Sequence, residues 1–382
     1  MNEVLYNIEE LEIRTCLQLV QVFGNDNIQR CANLKTLILR DLPKLTHVLK
    51  NIDQITTITF SNLVDLQVHG CHGMKILFSL SVAKNLVNLN SIEIFDCKEM
   101  KSIVIEAAAE ENSEIIFKKL TITRLHNLPK LASFYNGKCK LTFPLLETLE
   151  IEECNEMEIF SNGIISIEEG KDSVLGAPYP KPFFTHKVSF PALEILRIDG
   201  GNSLEMLWNK NKPIASSFCK LREISIENCN KLRCMFPWSI VKSLAFLETL
   251  NIFSCELLER IFETEKRSFA TEEEENGEIV FNRLSRLEFD NLPSLLCFHS
   301  GKCTLKFVAL NFLKIRRCHD MKTFSYGITN TPNLQAVEIG ENEVPVSPTK
   351  GINDIIQAFF TQESINNKLL SPTNNSASDT SL

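Results

Sequence analysis

A chain of 382 residues with a net charge of −8 and a pI near 5.6 lacks the cation excess needed to bind nucleic acid by phosphate neutralisation. Its apolar fraction of 44% is that of a folded protein, and no run nears the roughly 18 apolar residues that cross a membrane. Residues 1–20 carry acids and no secretion-type apolar stretch, so a cytoplasmic chain is expected.

The first element to recur is already present in residues 4–30, as Ile8, Leu11, Ile13, Cys16, Leu19 and Val22. Its clearest copy is Leu146-Glu147-Thr148-Leu149-Glu150-Ile151-Glu152-Glu153-Cys154, an L-x-x-L-x-I-x-x-C pattern. Leu149 and Ile151 lie two apart and share one face of a short strand, leaving Thr148, Glu150 and Glu152 to point the other way. One such unit cannot bury its apolar side alone, whereas a stack of copies can. The second leucine marks a ladder along the chain: Leu11, Leu37, Leu66, Ile92, Thr123, Leu149, Leu196, Ile224, Leu250, Leu287, Leu313 and Val337. That is about twelve repeats, most of them about 26 residues apart, with Thr123 the weakest rung.

The fold expected is therefore α/β: a leucine-rich-repeat solenoid over 1–340, with a curved parallel sheet and few short convex helices. No polar segment caps its first repeat, so we expect that the chain once continued on the N-terminal side, or continues there in a longer protein. In the second repeat Asp41-Leu42-Pro43 replaces the cysteine corner, as do Asn127-Leu128-Pro129 and Asn291-Leu292-Pro293 later, and proline is expected to end the strand there. Ser81 is a candidate cap for a short helix through Leu86, matched by Ser239–Leu244. Residues 60–164 recur as 218–328: Phe60 returns as Phe218 and Cys97 as Cys255, both 158 positions later. The acidic stretches 106–116 and 263–280 read as loops in solvent, and Pro178, Pro180 and Pro182 mark 164–187 as irregular. Apolar spacing at Ile352, Ile355, Ile356, Phe359 and Phe360 predicts a short helix within a capping segment, 341–363, before a disordered tail at 364–382.

Seven of the 13 cysteines share one rung: Cys16, Cys71, Cys97, Cys154, Cys229, Cys255 and Cys318. Without any C-x-x-C pair, they read as buried reduced thiols, not as zinc ligands or disulfides, which agrees with a reducing compartment. No phosphate-binding loop, G-x-S-x-G or H-E-x-x-H occurs, and no metal or other cofactor is expected. The chain does not read as an enzyme.

A binding surface remains. The residue after the second inward position of each strand is free of packing duty on the concave face, and Phe95, Glu152, Asp199, Glu227, Phe253, Asp290 and Arg316 are the candidate partner-binding residues there. Phe95 and Phe253 are expected to be exposed anchors; the competing reading packs them against a side chain of a neighbouring strand.

The unit L-x-x-L-x-I-x-x-C-x-x-M, led in by F-P-x-L-E-x-L, resembles the repeats of plant intracellular coiled-coil, nucleotide-binding, leucine-rich-repeat disease resistance proteins. Phe190-Pro191-Ala192-Leu193-Glu194-Ile195-Leu196 and Leu247-Glu248-Thr249-Leu250-Asn251-Ile252-Phe253-Ser254-Cys255 carry the likeness, which covers nearly all of 1–363. The resemblance implies a module that recognises a pathogen effector or a guarded host protein, with no nucleic acid or membrane as partner. The family's nucleotide-binding domain is missing from this sequence, so no ATP binding is expected, and such a domain is itself a candidate partner. The alternative is the leucine-rich-repeat substrate adaptor of a ubiquitin ligase, whose Ser/Thr-Asp signature after the cysteine is absent from Cys154-Asn155-Glu156-Met157.

Overall fold

The computed structural model describes residues 8–23, 33–49, 60–105, 114–161, 181–208, 217–263, 277–347 and 350–370. Its spine is one 13-stranded sheet. In chain order the strands are β1 (Glu10–Arg14), β2 (Thr36–Arg40), β3 (Asp65–His69), β4 (Ser91–Phe95), β5 (Ile122–His126) and β6 (Thr148–Glu152). There follow β7 (Ile195–Asp199), β8 (Glu223–Glu227), β9 (Thr249–Phe253), β10 (Arg286–Asp290), β11 (Phe312–Arg316), β12 (Ala336–Ile339) and β13 (Asn342–Pro345). Neighbours in the sheet are neighbours in this order, and all pair in parallel except β12 with β13.

The ladder read from the sequence is the register of this sheet. Leu11 pairs with Leu37, Leu37 with Leu66, and so on through Thr123 and Leu149 to Leu313. Burial alternates along most strands, as in Thr36–Arg40 and Glu223–Glu227, so every second side chain enters the core. Thr123 occupies its inward rung at 1% exposure although it is polar there, and Ile122 faces outward.

Each turn returns across the core through further short strands, such as Ile76–Ser79, Ser102–Ile105 and Ser133–Asn136, which stack in parallel. Phenylalanines fill the space between. Phe117, Phe143 and Phe190 stack at 5.1 Å per step, and Phe134 stacks on Phe160 at 5.0 Å. The expected irregular segments are shorter than anticipated: Glu114–Ile116, Pro182–Phe184 and Glu278–Phe281 are strands. Phe183 and Phe184 are fully buried, so Pro182 opens a strand whose rings complete the core. Of those segments, residues 106–113, 164–180 and 264–276 lie outside the described residues.

Helices are few. α1 (Leu80–Asn85) is capped by Ser79, whose Oγ accepts from the Val82 N–H at 3.4 Å, and not by Ser81 as expected. In the second block that position is Pro237, which has no side-chain acceptor, and Trp238–Leu244 forms a 3-10 helix instead. At the C-terminal end β13 turns back on β12, and α2 (Ile352–Leu370) covers the last turn, running past its expected end at 363. Residues 371–382 lie outside the described residues. Within the array, the Phe298 and His299 N–H groups both donate to the Phe324 carbonyl of the next turn. The last turn has no successor, and there the Phe324 and Ser325 N–H groups donate to Asn353 Oδ1, each at 3.0 Å. Asn353 thus stands in for the missing carbonyl. Phe359 rests against Gly340, where any Cβ would come within 2.7 Å of its ring.

Of the ladder cysteines, Cys71, Cys97, Cys154, Cys229, Cys255 and Cys318 are buried and free, and Cys16 is exposed. Burial pushes the Cys154 and Cys318 thiols up to about 12. Native-state labelling with a thiol reagent is therefore expected to modify Cys16 first, with Cys154 and Cys318 following only on unfolding. Rapid native labelling of Cys154 and Cys318 would contradict it.

Candidate functional site

The expected binding residues owe their placement to the corner that follows each strand. The residue after the strand adopts a positive φ in every turn: Thr15, Asp41, Gly70, Asp96, Asn127, Glu153, Gly200, Asn228, Ser254, Asn291, Arg317 and Gly340. This left-handed step turns the chain while its N–H extends the ladder by one more bond. Asn127 N donates to Glu152 O at 2.9 Å, and Gly200 N to Glu227 O at 3.0 Å. The cysteine two residues after the strand completes the corner. Its Sγ–H approaches the same carbonyl, at 3.4 Å for Cys97 and Phe95 O, 3.3 Å for Cys229 and Glu227 O, and 3.3 Å for Cys255 and Phe253 O. A carbonyl has two lone pairs, and a small weak donor reaches the second one inside an apolar corner. Leu42, Leu128 and Leu292 fill the same site by apolar packing and are fully buried. Asp41, Asn127 and Asn291 carry the positive φ there, so the left-handed residue ends the strand and the proline only follows in the next turn.

Held at this corner, the last residues of the strands form one continuous row. The register joins His69 to Phe95, Phe95 to His126, and His126 to Glu152. It continues through Asp199, Glu227, Phe253, Asp290 and Arg316. All seven candidate residues therefore lie in one row on the outer face of the sheet. None is fully exposed: each is half-buried. For Phe95 the cause is visible, because its ring lies between His69 at 4.5 Å and His126 at 4.7 Å. The full exposure expected of Phe95 and Phe253 is thus corrected, since side chains on neighbouring strands about 4.8 Å apart shield one another. Asp290 is paired with Arg317 at 2.8 Å, and Arg316 with Glu341 at 2.7 Å.

The middle residues of the strands form a second row, which the sequence reading passed over. Arg124 bridges Glu93 and Glu150, both at 2.7 Å, and Arg197 bridges Glu150 and Glu223, the latter the first residue of β8, both at 2.8 Å. The Glu150 side chain is only 9% exposed. Further along, Glu288 takes Arg286 at 2.6 Å and Lys314 at 2.7 Å. Burial alone would push the Glu288 carboxyl up, but the hydrogen bonds from Lys314 and Arg286 together hold it below the usual carboxylate range. A signal for this network was present in the alternation Ile92-Glu93-Ile94, Thr123-Arg124-Leu125, Leu149-Glu150-Ile151 and Leu196-Arg197-Ile198.

The two rows differ in how their charge is balanced. In the end row Glu152 has His126 at 3.4 Å, and Asp199 accepts from the Asn228 amide at 2.7 Å. Glu227 has no ion pair with a described residue; burial first, then Asp199 and Glu152, push its carboxyl above the usual range. Among the described residues no group of three or more His, Cys, Asp or Glu could hold a metal ion, and no helix is long and apolar enough to cross a membrane.

The sequence model of the family described as plant disease resistance protein RPS2-like, leucine-rich repeats, matches residues 1–98 and 189–342. Among curated relatives, disease resistance protein RPS5 of Arabidopsis thaliana is 38% identical over 104 residues, and disease resistance protein SUMM2 of the same plant is 38% identical over 97. These stretches cover 27% and 25% of this chain but only 11% and 10% of those proteins. Disease resistance protein UNI is 33% identical over 124 residues, 32% of this chain and 13% of that protein. An internalin of Listeria monocytogenes aligns over 88% of this chain and 87% of its own at 12% identity, with a TM-score of 0.27. The family match extends over more than half of the chain, and with the repeat register observed here the protein belongs to the RPS2-like leucine-rich-repeat family of plant disease resistance proteins.

Proposed function

We propose that this chain is a protein-recognition module of plant defence, working in the cytoplasm and sensing a pathogen effector or a guarded host protein through the end row of its sheet. The observation that carries this reading is a contrast between the two duplicated blocks. Their inward rungs keep apolar character, Leu66 with Ile224 and Ile92 with Leu250, and their corners keep Cys71 with Cys229 and Cys97 with Cys255. The row does not: His69 stands opposite Glu227, His126 opposite Asp290, and Glu152 opposite Arg316, with only Phe95 and Phe253 alike. Core and corner are held by packing, while the row is free to differ, as a surface that sets partner choice must be.

The test pairs stability with binding. Phe253→Ala is expected to leave the melting temperature within a few degrees of wild type. Recovery of a host or effector protein from infected leaf extract should fall by more than tenfold if the ring is an anchor, about 2 kcal/mol. Unchanged recovery of that protein by both Phe253→Ala and Glu227→Lys would place recognition elsewhere on the chain.

A further inference from the structure

The two rows lie side by side on one sheet, yet only one neutralises its own charge. From β4 to β8 the middle row reads Glu93, Arg124, Glu150, Arg197 and Ser225, and both of its glutamates have an arginine partner. In the end row Glu152, Asp199 and Glu227 are consecutive register partners with no lysine or arginine bound among the described residues. They are flanked on one side by Phe95, whose ring is held edge-on to His126, and on the other by Phe253, the register partner of Glu227. Beyond Phe253 the charges are again satisfied internally, by Arg317 on Asp290 and Glu341 on Arg316. The unbalanced part of the row is therefore bounded, acidic at its centre and aromatic at both ends.

Resting on the reading that this row recognises protein, we infer that its occupant is a polypeptide segment with a lysine- or arginine-bearing centre between two large apolar side chains. Charge complementarity selects the centre. Three carboxylates repelling one another lose that repulsion when cations sit over them, whereas an acidic partner would add to it. The two phenylalanines set the ends. Five strand steps of about 4.8 Å separate Phe95 from Phe253, so the apolar side chains of the segment lie about 24 Å apart. An extended segment spans that distance in about seven residues, with its cations over the three acids at intermediate positions. The middle row assists by being neutral: Arg124 and Arg197 are engaged by glutamates and do not repel the incoming cations.

The experiment is selection of a random 16-residue peptide library displayed on phage. Baits are the full chain and a full-chain variant carrying Glu152→Lys, Asp199→Lys and Glu227→Lys. Wild type is expected to enrich peptides with lysine or arginine between two large apolar residues. A synthetic peptide of that pool should bind the triple variant at least tenfold more weakly and lose affinity as salt rises. The single variant Glu227→Gln, which keeps the shape of the side chain, serves as the folded control and should weaken the same peptide about threefold. Peptides that enrich but bind wild type and both variants alike overturn this inference and leave the recognition reading standing. Enrichment of acidic peptides, or of none, also overturns it. The recognition reading itself falls only if Phe253→Ala and Glu227→Lys leave recovery from leaf extract unchanged.

Discussion

Phe160→Ala is expected to cost about 3–5 kcal/mol, the largest single loss we foresee in this chain. The ring is fully buried and touches Phe134 at 5.0 Å, Phe190 at 5.4 Å, Phe184 at 5.8 Å, Phe143 at 6.0 Å and Phe183 at 6.1 Å. Those neighbours come from separate turns, so the cavity opens where several repeats meet and no single side chain can collapse into it. In a repeat protein each turn is held by its neighbours, and the loss should therefore appear as a split of one unfolding transition into two. Urea unfolding followed by circular dichroism and by tryptophan fluorescence reads this directly, because buried Trp208 lies 6.1 Å from Phe184. A loss below about 1 kcal/mol, with both probes still coincident, would show that the ring carries no such junction.

Removing Glu150 should produce the second-largest effect, and the comparison with Glu227 in the adjacent row is sharp. Glu150→Ala strands two guanidinium groups that it now bridges, those of Arg124 and Arg197. Truncating one partner of a deeply buried pair costs about 3–5 kcal/mol. Here the arginines are 34% and 43% exposed and keep Glu93 and Glu223, so about 2 kcal/mol is expected, shrinking as salt is added. Glu227→Gln should behave oppositely. Its carboxyl is held above the usual range, so the folded state resists its ionisation, and stability present at low pH is lost as pH rises through that raised value. Near pH 7 the glutamine is expected to be neutral to slightly stabilising. Melts of both variants at two salt concentrations check the pair. Equal costs for the two substitutions would mean that the rows are not balanced differently.

The sequence made the sheet legible because its pattern is redundant: each rung is written about twelve times, and one poor rung, Thr123, is carried by Ile92 and Leu149 on either side. The end row was legible for the same reason, since counting from the inward leucine lands on Phe95, Glu152 and Phe253 without knowledge of tertiary structure. What lay beyond reach depended on distances across turns. The shielding of Phe95 needs both imidazoles, which come from other repeats. The burial of Phe183 and Phe184 depends on a strand whose partner, Met206–Trp208, follows a break in the period. The arginine bridges were written in the alternation at the middle strand position, but only the register tells which carboxylate each guanidinium meets.

The shared corner also bears on how such a chain can change by inheritance. From Thr15 to Asn291 each turn closes with a left-handed residue whose N–H bonds to the next turn, so these turns present the same seam to one another. Unequal crossing-over between the segments beginning at Phe60 and Phe218 joins one seam to its equivalent and inserts or deletes five turns, β3 to β7, in phase. The apolar rungs still stack, and the cysteines still meet their carbonyls. Only the end row is rewritten, gaining or losing five side chains and about 24 Å of length at once. Recombination can therefore deal this molecule new surfaces in large steps, while point mutation adjusts them one residue at a time.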